Sequence, residues 1–344
     1  MTDMFDEHHE LPEGLLEVSA ENLHQVLPRP ALIHLQGQSV RPLFFSTLLH
    51  GNETTGFYAL QQLLREYFSE GLDGHELPRS ISIFIGNIKA AQTGVRRLEQ
   101  QVDYNRVWPG TPHDYLAEAH MMQRVTDIMR ERHVEASIDI HNNTGKNPHY
   151  ACINKLDREF IALGCLFSQT LVYFTTPKGV QSGAFAELCP SVTLECGMSG
   201  QAEGTAHVLS YLKQLLSMPP LRNQQPGHFN LYHTVARVNI PEFYSFGFED
   251  DATINLLPEL ENYNFIELAA GTVLARVEPE SSAWLQAFDE HDRERGRDFF
   301  EYRDNQILLK KPVMPAMLTM NTQIIRQDCL CYLMERYPLE LDEN

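Results

Sequence analysis

Positive charge is what this sequence has least of. Only 27 lysines and arginines stand against 46 aspartates and glutamates in 344 residues, giving a formal net charge of −19. A surface of that sign repels phosphate backbones and anionic lipid head groups, and no run of lysines and arginines offers a local exception. Neither nucleic acid nor a membrane surface is an expected partner. An anionic small molecule has to be received by a few arginines inside a pocket, because the long-range field opposes it.

Long apolar runs are missing as well. The longest uncharged stretch, 160–177, is broken by Gly164, Ser168, Gln169 and three threonines, so it reads as a helix end passing into a strand rather than a bilayer span. The opening MTDMFDEHHELPEG has neither a basic nor an apolar region, so no secretory signal is expected. The six cysteines, at 152, 165, 189, 196, 329 and 331, form no C-x-x-C pair, which fits reduced thiols in the cytoplasm. Cys329 and Cys331 lie in an apolar segment and read as core. No internal repeat or low-complexity tract is visible. What remains is a globular composition, 43% apolar and 21% charged, long enough for two domains and a large core without staples.

Up to about residue 220, short apolar runs alternate with amphipathic segments. Strands are expected at 42–49, 80–85, 135–140, 149–153, 171–175 and 191–194, and helices over about 54–68, 115–132 and 202–216. That alternation predicts an α/β domain with a mixed sheet flanked by helices. A linker is expected at 218–220 and 223–227. Strand-like runs at 231–240, 265–277, 306–310 and 319–325 then predict a smaller β-rich C-terminal domain. The expected division is an N-terminal extension 1–30, a catalytic domain 31–220 and a β-rich domain 228–344.

The sharpest local signal is LLHGNETTG, residues 48–56, an apolar strand running into His50-Gly51-Asn52-Glu53 and then a helix. His-x-x-Glu lets an imidazole and a carboxylate converge on one cation; a loop histidine beside a helix-capping glutamate is the alternative. SIDIH, 137–141, is a second apolar strand ending in a histidine. Strand ends are where α/β sheets build sites, and His50, Glu53 and His141 form the His₂Glu set of catalytic zinc centres. Asp139 could orient the His141 ring or cap neighbouring backbone. SVTLECG, 191–197, carries a lone carboxylate, Glu195, out of an apolar strand, and a charge there is costly unless paired or working. Glu195 is therefore the candidate general base. Cys196 beside it reads as an inert core thiol, and His149 as a pocket wall or surface residue. The arginines that the charge demanded lie in GVRRLEQQVDYNRVW, 94–108. Asn105 with Arg106 could grip a substrate carboxylate, and Arg96 or Arg97 could reach a reacting carbonyl.

Four segments in this order, HGNE at 50–53, GNIKAAQTGVRRLEQQVDYNRVW at 86–108, DIH at 139–141 and TLECG at 193–197, resemble the succinylglutamate desuccinylase/aspartoacylase family of the zinc carboxypeptidase superfamily. The resemblance covers about residues 30 to 215, with ELAAGTVLA at 267–275 similar to part of the family's C-terminal β domain. It implies a carboxypeptidase-like fold and one zinc per chain held by His50, Glu53 and His141. It also implies Glu195 as base and proton shuttle, Arg96 polarising the scissile carbonyl, and Asn105 and Arg106 on the substrate's carboxylate. The implied activity is hydrolysis of an amide bond in a small carboxylate-bearing substrate such as an N-acyl amino acid. A metallocarboxypeptidase or small-peptide amidase would use the same residues, and a non-catalytic metal-dependent binding protein is the reading from another class. A homo-oligomer is left open. Two extra residues between Arg96 and Asn105 leave Arg97 as a contender for the role of Arg96. No arginine occurs in 180–192 and no tyrosine in 313–325, where relatives acting on acylated aspartate or glutamate carry them, which points away from a dicarboxylic product.

Overall fold

The computed structural model describes residues 4–68, 76–219, 221, 224–279 and 281–339. They fall into two compact units. The first comprises the described residues up to Asn142 with His149–Asn230; the second comprises Asn143–Pro148 with the described residues from Leu231 onward.

The first unit is a mixed sheet between helices. Its strands are β1 (Asp6–His8), β2 (Ala31–Leu35), β3 (Leu43–Thr47), β4 (Ile81–Ile85), β5 (Ala136–Asn143), β6 (Tyr150–Ile153), β7 (Thr170–Tyr173) and β8 (Ser191–Met198). They are ordered β1-β2-β4-β3-β5-β8-β6-β7. β3 runs parallel to both β4 and β5, whereas β2 and β8 run antiparallel to β4 and β6 respectively. Every residue of β2, β3, β4 and β5 is buried, as continuous apolar strands require when both faces are covered.

The cover is supplied by α1 (Thr55–Phe68), α2 (Ile88–Gln92), α3 (Ala117–Glu131), α4 (Arg158–Cys165), α5 (Gln181–Phe185) and α6 (Ala202–Ser217). α1 packs on α6. α3 buries Met122, Val125 and Met129 at helical spacing into an aromatic core. There Phe44 and Phe185 stack at 4.5 Å and Trp108 meets Phe84 edge-on at 5.8 Å. Aromatic pairs of this kind contribute about 0.5–1.5 kcal/mol each beyond their buried area. Residues 4–30 are built onto the same unit: β1 pairs in parallel with β2, and Phe5, Ala20 and Leu23 are buried.

The second unit is β-rich, as expected, with its own core of Val238, Ile254, Ala275, Leu285, Ile307 and Leu333 among others. One sheet orders β10 (Phe246–Gly247), β11 (Ile254–Leu256), β12 (Val273–Val277), β15 (Gln306–Leu309) and β14 (Phe300–Arg303). A second antiparallel set joins β13 (Gln286–Phe288), β9 (Asn230–Asn239), β17 (Cys331–Arg336) and β16 (Met314–Ala316). Two expectations are corrected here. The run 319–325 is not a strand: Asn321 accepts a hydrogen bond from the Ile324 amide and caps a helix, Thr322–Gln327, so local capping overrides the β-branched composition. Of 265–277, only Val273–Val277 is strand, because a 3-10 turn at Leu260–Tyr263 and the left-handed Phe265 precede it. Of the expected linker, Pro220 and Asn223 lie outside the described residues. Among the described residues, no helix is long and apolar enough to cross a membrane.

Candidate metal centre

The centre gathers at the ends of β3, β5 and β8. β3 closes on Leu48 in the left-handed region, and the chain turns through His50 to Glu53 before α1 begins. Gly51 is required in that turn, since a Cβ there would stand 2.2 Å from the α2 backbone at Ala90. Its amide donates to the Arg96 carbonyl at 3.0 Å, tying the turn to the loop after α2. His141 and Glu195 leave the sheet from β5 and β8.

The three expected ligands converge. His50 Nδ1 lies 2.8 Å from Glu53 Oε1, and His141 Nδ1 lies 2.7 Å from Glu53 Oε2. The ligating atoms of all three residues fall within 4.8 Å of one another, and no other such group of three occurs among the described residues. All three are buried, at 3%, 5% and 4% exposure. Behind each ring stands a further acid: Asp103 Oδ1 is 3.0 Å from His50 Nε2, and Asp139 Oδ2 is 2.8 Å from His141 Nε2. Each imidazole can thus donate Nε2–H to an aspartate while Nδ1 faces the shared centre. That is the outer carboxylate that orients histidines on metals. Asp139 is itself held by Ser46 Oγ at 2.6 Å, because the parallel register of β3 and β5 sets Ser46 opposite it. The Asn142 amide donates to Glu53 Oε2 at 3.0 Å, and its side chain ties Thr55 to the Gly197 carbonyl.

Sequence reasoning did not assign Asp103 or Asn142 a role. The signal for Asp103 was its place two residues before Asn105-Arg106. Asn142 offered none beyond following His141.

The electrostatics follow from burial among acids. Burial opposes charge on His141 and His50, yet neighbouring carboxylates win and both rings titrate above the ordinary histidine value, His141 by more. Burial also works against charge on Glu53 and Asp103, but the imidazoles of His50 and His141 keep Glu53, and His50 with the guanidiniums of Arg96 and Arg106 keeps Asp103, well below the usual carboxylate range. Glu195 goes the other way. Burial pushes its carboxyl up to about 7, with His141 opposing the rise and Glu53 and Asp139 adding to it. It therefore sits within electrostatic reach of the His–Glu–His group. Once both imidazoles give up their second proton, as metal ligands must, the carboxylates of Glu53, Asp103 and Asp139, joined by Glu195 when it is ionised, outnumber the guanidiniums of Arg96 and Arg106. A dication bound by two imidazoles and a carboxylate fits that donor set and that charge.

The arginines separate clearly. Arg96, 9% exposed, places one terminal nitrogen 3.1 Å from Asp103 Oδ2 and the other 3.5 Å from Glu53 Oε1. Arg97 turns into its own loop, donating to the Gln101 and Glu99 carbonyls at 3.0 and 3.4 Å. Arg106 is half-buried and donates to the Asn105 carbonyl at 2.8 Å. Its backbone is clasped by Gly179, where a Cβ would stand 2.4 Å from the Arg106 carbonyl oxygen at a φ of +77°. Cys196 is fully buried with its thiol held protonated by that burial, and the His149 ring stacks on His207 at 4.6 Å.

The family model for the succinylglutamate desuccinylase/aspartoacylase catalytic domain matches residues 40–212. No curated protein matches the chain. Solved structures do. A succinylglutamate desuccinylase from Chromobacterium violaceum aligns at 16% identity and a TM-score of 0.56, over 87% of this chain and 85% of that one. Another from Vibrio parahaemolyticus aligns at 14% identity and 0.59, over 88% and 84%. Murine aminoacylase 3 aligns at 15% identity and 0.55, over 87% and 95%. At these identities the likeness to the solved structures is one of fold.

Proposed function

Because the chain belongs to the succinylglutamate desuccinylase/aspartoacylase family of amide-bond hydrolases, we propose that it is a zinc-dependent hydrolase that removes the acyl group from a small carboxylate-bearing N-acyl amino acid. The observation that carries this reading is the convergence of His50, Glu53 and His141, each ring backed by an aspartate, with the Glu195 carboxyl within their electrostatic influence. Zinc, when bound there, supplies a Lewis acid and brings the pKa of a water to about 7.

The protein's own groups do the rest. Glu195, held near neutrality, takes a proton from the attacking water and hands it to the departing amine. Arg96 stands beside Glu53 with its guanidinium fixed by Asp103, placed to donate to the carbonyl oxygen as charge develops on it. A donor in that role typically contributes about 3–4 kcal/mol to the transition state. Arg97, turned into its loop, is not the group assigned to that task. Arg106 receives the substrate's carboxylate and so fixes the distance to the attacked carbon. With no arginine in 180–192, neutral or aromatic amino acid derivatives are the favoured substrates over acylated aspartate or glutamate.

The test is Glu195→Gln. Turnover of N-acyl amino acids should fall by roughly 10²–10⁴-fold while bound zinc, counted by elemental analysis, stays at one per chain. Full activity in that variant would remove Glu195 from the reaction.

A further inference from the structure

Arg96 and Arg97 are adjacent on one loop, yet only Arg96 faces the metal centre, and the loop itself holds the reason. Its base is closed by two side-chain amides 14 residues apart. Asn87 Nδ2 donates to Gln101 Oε1 at 2.9 Å, and Gln101 Nε2 donates to Asn87 Oδ1 at 2.8 Å, so each amide satisfies the other. Asn87 is a fixed partner. It is 1% exposed, its Oδ1 also accepts from the Ala90 N–H at 3.2 Å as the cap of α2, and its main-chain N–H donates to the Leu48 carbonyl just past β3. The pair therefore fastens the returning end of the loop to the strand that delivers His50. Gln101 also shapes the turn that follows the arginines. Its Oε1 accepts a second bond from the Leu98 N–H at 3.1 Å, its own N–H donates to the Leu98 carbonyl at 3.0 Å, and its carbonyl accepts from the Arg97 guanidinium at 3.0 Å. Arg97 is held in the loop, and Arg96 is left directed at Glu53 and Asp103.

We propose that Gln101 is a positioning residue for Arg96: its amide pair with Asn87 fixes the loop in the arrangement that sets the Arg96 guanidinium beside Glu53 and turns Arg97 away. This rests on the role given to Arg96 above. A misplacement of about 1 Å at a reacting centre can cost about 10²-fold in rate, so a loop that carries a donor to a developing oxyanion has to be held as firmly as the donor itself.

Gln101→Met keeps the length of the side chain and removes its hydrogen bonds. Gln101→Glu keeps the acceptor for Asn87 Nδ2 and the Leu98 N–H but loses the donor to Asn87 Oδ1, and at this half-buried position it carries the test should the methionine variant fold poorly. Rates are measured at saturating zinc on whichever N-acetylated neutral or aromatic amino acid the wild type cleaves fastest, and zinc affinity by chelator competition without substrate. In Gln101→Met, kcat should fall by about 10–100-fold, with a smaller fall in Gln101→Glu, while KM stays within about threefold of wild type. Zinc affinity should not change, because Asp103 behind His50 keeps its separate bond from the Asn105 N–H at 2.8 Å. Arg96→Ala should lose about 10²–10³-fold in kcat by itself, and adding Gln101→Met to it should cost nothing more. Arg97→Ala should turn over like the wild type.

An equal loss of kcat with and without Arg96 would make Gln101 a general support of the fold and overturn the proposal. So would a loss confined to KM or to zinc affinity. If the wild type cleaves none of these substrates, or Arg96→Ala is unimpaired, the reading of the reaction falls and takes this proposal with it; if Arg96→Ala is impaired and both Gln101 variants match the wild type, only this proposal falls.

Discussion

Two places in the first unit bury histidine to the same degree and treat it in opposite ways. His34 on β2 is 3% exposed, the same as His50 and nearly the same as His141 at 4%. Its Nδ1 meets a neutral hydroxyl, Ser82 Oγ, at 2.8 Å, and its Nε2 meets the half-exposed Glu7 at 3.2 Å. Burial first, then the charges of Arg132 and His9, bring its pKa down to about 3. His50 and His141 have carboxylates on both ring nitrogens and titrate above the ordinary value. Burial alone does not mark a working histidine. The sign of the charge packed around it does.

The widest separation should come from deleting the rings themselves. His141→Ala should abolish stoichiometric zinc binding, while His34→Phe should leave it at one ion per chain, both read by elemental analysis after gel filtration. Stripping one acid from each ring comes next. Asp139→Asn and Asp103→Asn should each weaken zinc by about 10–100-fold, with Asp139→Asn at the upper end because Asp139 is fully buried on a strand and Asp103 sits on a loop. Asp103→Asn should also lower kcat, since Arg96 loses its anchor.

A smaller effect distinguishes the buried neutral histidine. Between its unfolded value near 6.5 and its folded value of about 3, His34 binds fewer protons folded than unfolded, so its contribution to stability shrinks as pH falls through that window. The slope it adds is at most about 1.4 kcal/mol per pH unit. His34→Phe should flatten the acid limb of the pH–stability curve in urea titrations; an unchanged limb would mean that His34 does not stay neutral. Least of all, Ser46→Ala removes one hydrogen bond to Asp139, at about 1 kcal/mol of stability.

The parts of the site written along one strand were legible in the sequence. HGNE, DIH and TLECG each follow an apolar run, and a strand end announces both its direction and the residue it delivers. What spacing does not encode is pairing between strands or across loops. Ser46 meets Asp139 because of β3–β5 register, and Asp103 meets His50 because residues 88–103 fold back over the turn. The choice between Arg96 and Arg97 rested on the same missing information. Adjacent residues point apart, and only the folded loop shows that Arg97 faces the Gln101 carbonyl. In the second unit short strands and turns alternate without a helical period to frame them, and β17, with its strand formers flanked by charge, went unread beside a helix expected as strand.

The central claim is that His50, Glu53 and His141 hold one ion. Anomalous scattering at the zinc edge from crystals of the zinc-loaded protein tests it most directly. The predicted result is a single strong peak bounded by Nδ1 of both histidines and the carboxylate of Glu53. A peak elsewhere, or none at full zinc saturation, would contradict it.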